Sequence, residues 1–146
     1  MTVFIRPLQA ADKVAWEELF HGYINFYEAN VPSEVIALTW QRLLDGQDGF
    51  AGLVAVDEAG KPIGLAHMVF HASTWSPTTY CYLEDLYVDR NVRRSGVGRE
   101  LIEAVYKEAD KRGATRTYWA TKEDNRQARR LYERVAMLSP FVQYRR

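Results

Sequence analysis

Apolar positions along this chain switch between two spacings. From about residue 11 to 28, Val14, Trp16, Leu19, Phe20, Tyr23, Ile24 and Tyr27 recur at three- and four-residue steps, which is one face of a helix. Pro32 interrupts the pattern and Ser33 is an N-cap candidate for a second helix over 34–44, which stops at Asp45-Gly46. A spacing suited to strands follows. FAGLVAV (50–56) and PIGLAHMVFHAS (62–73) flank a Glu58–Lys61 turn, and after a loop at 75–78 comes TYCYLEDLYV (79–88), rich in aromatic and branched residues. Val97, Leu101, Ile102, Val105 and Ala109 mark a third helix, closed by Lys111-Arg112-Gly113. RTYWAT (116–121) reads as a strand. Asp124 or Asn125 caps a fourth helix carrying Ala128, Leu131, Tyr132 and Val135, and PFVQYRR (140–146) reads as a closing strand. With a short first strand at 3–6, the predicted order is β, α, α, β, β, β, α, β, α, β. This is an α/β (α+β) chain: an antiparallel first half runs into a β-α-β unit whose crossover helix makes strands 79–88 and 116–121 parallel neighbours.

The chain has 146 residues, which fits one domain over 1–146. A formal net charge of +0 removes any global field that would gather nucleic acid or an anionic membrane, so an anion site must be local. The longest apolar runs fall far short of the ~20 residues that cross a bilayer, and the start, MTVFIRP, reads as a strand rather than a signal peptide. Cys81 is the single cysteine, which suits the cytoplasm and reads as a small core residue. His21, His67 and His71 have no metal-ligand spacing; His67 and His71 read as structural or rim residues, and no metal is expected.

The most informative local stretch is VRRSGVGREL (92–101). Gly96 and Gly98 stand between a strand and a helix, where glycine permits positive φ and close approach of a ligand to the backbone. The first amides of the following helix lack intrahelical partners and, with the helix dipole, make a phosphate site. Arg93, Arg94 and Arg99 add positive charge, so the expected ligand is a pyrophosphate. The P-loop pattern is absent, and a dinucleotide fingerprint would need glycine where Leu101 stands.

Arg93-Arg94-Ser95-Gly96-Val97-Gly98 resembles the R-x-x-G-x-G acetyl-CoA motif of the GNAT superfamily of N-acetyltransferases, and the resemblance extends over nearly the whole chain. LEDLYVDRNVRRSGVGRELI is similar to that family's strand-loop-helix unit, and NRQARRLYERVAM to its second cofactor-contacting segment. The LED-[LF]-[YF]-V strand looks most like that of diamine acetyltransferases and related histone/polyamine-type enzymes. The resemblance implies a GNAT fold, a central mixed, mostly antiparallel sheet of about six strands flanked by four helices, and transfer of acetyl from acetyl-CoA to a primary amine. It also implies a cofactor groove formed by Leu86, Tyr87, Val88, Arg93, Arg94, Ser95, Gly96, Val97, Gly98, Arg99, Asn125 and Ala128.

Such chemistry makes three demands. An amine of pKa near ~10 must lose a proton, the oxyanion needs a donor, and the leaving thiolate benefits from a proton. Consecutive strand residues face opposite sides, so Glu84 and Asp85 cannot both face one way unless a bulge intervenes. The resemblance picks Glu84 as the group that binds or deprotonates the amine and Tyr132 as the acid that protonates the thiolate. Asn125 and Tyr132 lie two turns apart on one helix face and can line one groove. The oxyanion donor falls to backbone between Leu86 and Val88, if strand 79–88 splays from 116–121. Tyr27, Glu28, Trp119 and Tyr144 are candidates to meet the amine through carboxylate and aromatic faces, each equally readable as core or surface. Arg129-Arg130 reads as a solvated helix face within reach of nucleotide phosphate.

Two features depart from the family pattern. Val135-Ala136-Met137 replaces an x-G-F ending, and only one strand fits between Ser139 and Arg146. An open sheet edge is a liability, so a second copy of the chain is expected to cover it. Acceptors consistent with the resemblance are polyamines or other small amines, amino acids and a protein lysine. Two rivals remain: a regulatory acetyl-CoA-binding module without turnover, and a nucleic-acid-binding domain using 90–99 and 144–146, for which a neutral chain lacks the electrostatic footprint.

Overall fold

The computed structural model describes residues 2–92 and 96–146. Five strands form one sheet in the order β1 (Phe4–Pro7), β2 (Phe50–Val56), β3 (Pro62–His71), β4 (Tyr80–Val88) and β5 (Arg116–Tyr118). The first four pair antiparallel, and β4 pairs with β5 in parallel, as the crossover rule requires. Helices α1 (Lys13–Phe26) and α2 (Ser33–Asp45) cover one face; α3 (Val97–Lys111) and α4 (Arg126–Val135) lie on the other.

Each face has its own core. On the first, Trp16, Leu19, Phe20 and Ile24 of α1 and Ile36, Trp40 and Leu43 of α2 enclose Leu65 of β3. On the second, Val97, Leu101, Ile102, Val105 and Ala109 of α3 bury against Leu53, Ala66, Met68, Cys81 and Leu83. These α3 residues are the ones its three- and four-residue spacing selects, so the helix forms because the sheet hides that stripe. Helix α1 comes unusually close to β4: a Cβ added at Gly22 would meet the Tyr87 hydroxyl at 2.7 Å. Only hydrogen fits there, and the docking sets α1 side chains beside the middle of β4.

Several boundaries move. Ser33 is the first residue of α2 rather than its cap, which is Pro32, and β5 stops at Tyr118 instead of running to 121. The closing strand expected over 140–146 does not form, so the sheet has five strands. Phe141 and Tyr144 stand 86% and 92% exposed, so burial on this chain's own surface gives that segment no driving force.

Candidate active site

The site grows out of one irregularity in β4. His67 stands opposite Asp85 while its neighbour Met68 stands opposite Leu83, so Glu84 is an extra residue, a β-bulge. Alternation reverses across it. Cys81 and Leu83 point into the α3 core and so do Leu86 and Val88, while Tyr87 points into the α1 core. The bulge therefore turns two consecutive carboxylates, Glu84 and Asp85, toward α1, an arrangement the sequence left conditional on such a bulge.

Glu84 opens to solvent, whereas Asp85 is largely covered. Asp85 Oδ2 lies 2.8 Å from His67 Nδ1, and His67 Nε2 accepts a hydrogen bond of 2.8 Å from the Trp16 indole N–H. The Glu84 carboxyl is held above its ordinary pKa, first by loss of water around it and then by the charge of Asp85; His67 and a hydrogen bond from Tyr82 oppose the rise. The Tyr23 hydroxyl donates to the Glu84 carbonyl at 3.5 Å. Burial, then the charge of Asp85, raise the Tyr23 pKa steeply, so it stays a donor.

From these carboxylates an aromatic and polar series leads to α4. Tyr23 meets Tyr27 edge-on at 5.1 Å, Tyr27 shares a hydrogen bond of 3.4 Å with Thr121, and Asn125 donates to Thr121 at 3.0 Å. Tyr132, pushed up to about 12 by burial and then by Tyr27, remains protonated throughout the neutral range. Trp119 packs edge-on against Tyr132 at 5.4 Å and lies among residues supporting the α3 core. Glu28 holds φ +53° at the end of α1, where Ala29 N–H bonds the Ile24 carbonyl and Glu28 N–H that of Asn25. That hydrogen-bond pair ends many helices with glycine at this position; a glutamate there is strained.

Pairing between β4 and β5 ends at Tyr82 and Tyr118. Beyond it, among the described residues, β4 has no ladder partner on that side, so alternate residues of Leu86–Val88 present main-chain groups at an unpaired edge. Gly96 takes φ +90° as the cap of α3 and precedes the first-turn amides of that helix, which have no intrahelical partner. An unpaired strand edge followed in the chain by a helix N-terminus suits an extended amide chain carrying a diphosphate. Ala128 is half-buried on α4, and Arg99 is engaged by Glu103 at 3.1 Å on the outer side of α3. Arg93, Arg94 and Ser95 lie outside the described residues.

The structure thus brings Glu84, Tyr27, Thr121, Asn125 and Tyr132 into one connected series, with Glu28 just past Tyr27. It does not bring Tyr144, which stands in the exposed tail. Sequence reasoning passed over Asp85, Tyr23 and Thr121, and gave His67 only a structural or rim place. The signal for the first was on the page: adjacent carboxylates inside an otherwise apolar strand. An open hollow of ≈ 830 Å³ beside α4, lined by Lys122, Asp124, Arg126, Arg130 and Glu133 among others, includes none of this series and carries both signs of charge.

The sequence profile of the Acetyltransferase (GNAT) family matches residues 16–137. The chain is 37% identical over 145 residues to the D-amino-acid N-acetyltransferase HPA3 of Saccharomyces cerevisiae, covering 99% of this chain and 90% of that one. It is 33% identical to the thialysine N-epsilon-acetyltransferase of Caenorhabditis elegans over 51% of this chain and 46% of that one. Among solved structures, the aminoglycoside N-acetyltransferase AAC(6')-Iy in complex with CoA superposes with a TM-score of 0.84 at 19% identity, covering 99% and 94% of the two chains. The family match over residues 16–137 and the 37% identity across nearly the whole chain place this protein in the GNAT family of acetyltransferases.

Proposed function

We propose that this acetyl-CoA-dependent N-acetyltransferase acetylates a small primary amine by direct attack, with Glu84 receiving the amine proton and Tyr132 supplying one to the departing thiolate. Acetyl-CoA supplies the activated acyl group as a thioester. The observation that carries the reading is the fork in β4: carboxylates at the bulge, main chain left without a ladder partner on the β5 side beyond it, and Tyr132 near Tyr27. An ammonium entering between Tyr27, Glu28 and Glu84 meets negative charge and aromatic faces. Glu84, with its raised pKa, is in its ionised form a stronger base than an ordinary carboxylate. Main-chain amides of Leu86–Val88 on the unpaired β5 side can take oxyanion charge. Tyr132 keeps its proton below about pH 12, so it can act as a donor across the working range.

The acceptor is read as a small molecule. The names of the relatives support this: one is a D-amino-acid N-acetyltransferase, and the superposed structure an aminoglycoside N-acetyltransferase. Polyamines share the cationic amine that the carboxylates would recognise, and a protein lysine presents the same group. The experiment is a thiol-release screen with acetyl-CoA against amino acids, polyamines and other amines, run beside Tyr132→Phe. Removing the hydroxyl should lower kcat about 100-fold, within the usual range for a general acid, while acetyl-CoA affinity holds. Binding of acetyl-CoA without thiol release over the whole panel would instead favour a regulatory module.

We also infer a homodimer. An exposed apolar tail, with Met137 87%, Leu138 68% and Phe141 86% exposed, lies in the same molecule as the open edge of the three-residue β5. A second copy would cover both. Light scattering at micromolar concentration should give twice the chain mass; a monomer would contradict this. A cytoplasmic location fits the lone buried Cys81, whose thiol burial raises to about 11, and among the described residues no helix is long and apolar enough to cross a membrane.

A further inference from the structure

His67 is the most constrained titratable side chain outside the roles assigned above. It is 3% exposed, spans from Trp16 on α1 to Asp85 on β4, and stacks edge-on against Phe20 at 5.1 Å. The indole N–H can only donate, so His67 Nε2 must be an acceptor carrying no proton. The ring's remaining proton then sits on Nδ1 and points at Asp85 Oδ2. Trp16 thus selects the tautomer, and the tautomer gives Asp85 Oδ2 a hydrogen-bond donor.

We propose that Trp16 and His67 are positioning residues for the transfer reaction: through the Trp16–His67–Asp85 hydrogen-bond chain they fix the Asp85 carboxyl group beside Glu84, on the acceptor side of β4. This inference rests on the acetyl-transfer reading and extends it to residues that touch neither reacting atom. Three observations support it. The bulge puts Asp85 and Glu84 on the same side of β4. The charge of Asp85 contributes to the raised pKa of Glu84. A charge on His67 would work the other way by lowering the Glu84 pKa, and the Trp16 N–H meets Nε2 as an acceptor, the arrangement that leaves Nδ1 to face Asp85. The titratable groups facing this cluster are Tyr23 from α1, His67 from β3, Tyr82, Glu84 and Asp85 from β4, and Tyr118 from β5.

The two amide variants of His67 separate positioning from packing. An asparagine amide lies near where Nδ1 was and can still donate to Asp85. A glutamine amide lies near Nε2, so it can meet Trp16 but leaves Asp85 without its donor. Trp16→Phe keeps an aromatic ring and loses only the N–H, freeing Nε2 to take a proton. The experiment measures kcat and KM for the amine as a function of pH, with calorimetric binding of acetyl-CoA and thermal melting as controls.

His67→Gln should lower kcat/KM for the amine by about tenfold to a hundredfold, the loss expected when a hydrogen bond to a charged group is removed, with acetyl-CoA affinity unchanged. His67→Asn should recover most of that loss. Trp16→Phe should move the acid limb of the profile to lower pH, because a His67 cation lowers the Glu84 pKa, and reduce the rate at neutral pH. Asp85→Asn should shift that limb the same way by removing the charge that raises Glu84. If His67→Gln and His67→Asn melt differently but turn over equally, or if both lose activity equally while folded, positioning is overturned. If one of them fails to fold, an unchanged pH profile in Trp16→Phe overturns it. Absence of thiol release by the wild-type protein on every amine would instead defeat the transferase mechanism itself, and binding of acetyl-CoA alone would not rescue it.

Discussion

The two halves of β4 share one backbone but live in different surroundings. Tyr80–Tyr82 ladders to β3 on one side and β5 on the other, while Leu83–Val88 keeps only β3. In the first half Arg116 lies over the Tyr80 ring at 4.7 Å, Cys81 is fully buried, and the main chain is committed on both flanks. In the second half an extra residue reverses the alternation, two carboxylates face α1, and main-chain groups on the β5 side are left for something else to bind. A strand that loses a neighbour halfway along becomes a binding edge without giving up the sheet that holds it.

That contrast can be broken by substitution. Glu84→Gln removes the base in the open half and keeps its shape; kcat/KM for the amine should fall about 100-fold, measured by thiol release. The pH profile sharpens the test. If Glu84 acts as the anion, as proposed, its raised pKa means activity should be lost as pH falls through a value above the ordinary glutamate one of about 4.3. Tyr80→Phe in the paired half is the control and should leave turnover unchanged. Gly96→Val would force a branched side chain to φ +90°, costing about 1–2 kcal/mol of stability by melting and weakening acetyl-CoA by calorimetry. The smallest effect runs the other way. Glu28→Gly relieves a left-handed glutamate, so stability should rise by about 1 kcal/mol while KM for the amine increases. A stabilised variant with unchanged KM would remove Glu28 from the acceptor side.

Much of the fold was legible because its elements announce themselves locally. The stripe Val97, Leu101, Ile102, Val105 and Ala109 predicts a helix with one buried face, and all five residues are buried in α3. Gly96 before it predicts a positive φ that the cap adopts. The parallel pairing of β4 with β5 followed from a crossover of helical length. What sequence could not give depends on distant partners. The bulge at Glu84 is a mismatch between β3 and β4, a property of register and not of either strand's composition. Trp16 and His67 are 51 residues apart, and nothing near either one signals that the indole sets the imidazole tautomer. The tail misled for a related reason. Phe141, Val142 and Tyr144 have strand-forming side chains, but strand formation needs an edge and a surface to cover, and this chain alone gives them neither.

Amide hydrogen exchange with and without coenzyme A tests the fork most directly. Added coenzyme should slow exchange of main-chain amides within Leu86–Val88 and in the first turn of α3, Val97–Arg99, while amides of Tyr80–Tyr82 stay as slow as before. Unchanged rates at Leu86–Val88, with protection confined to other parts of the chain, would contradict the account.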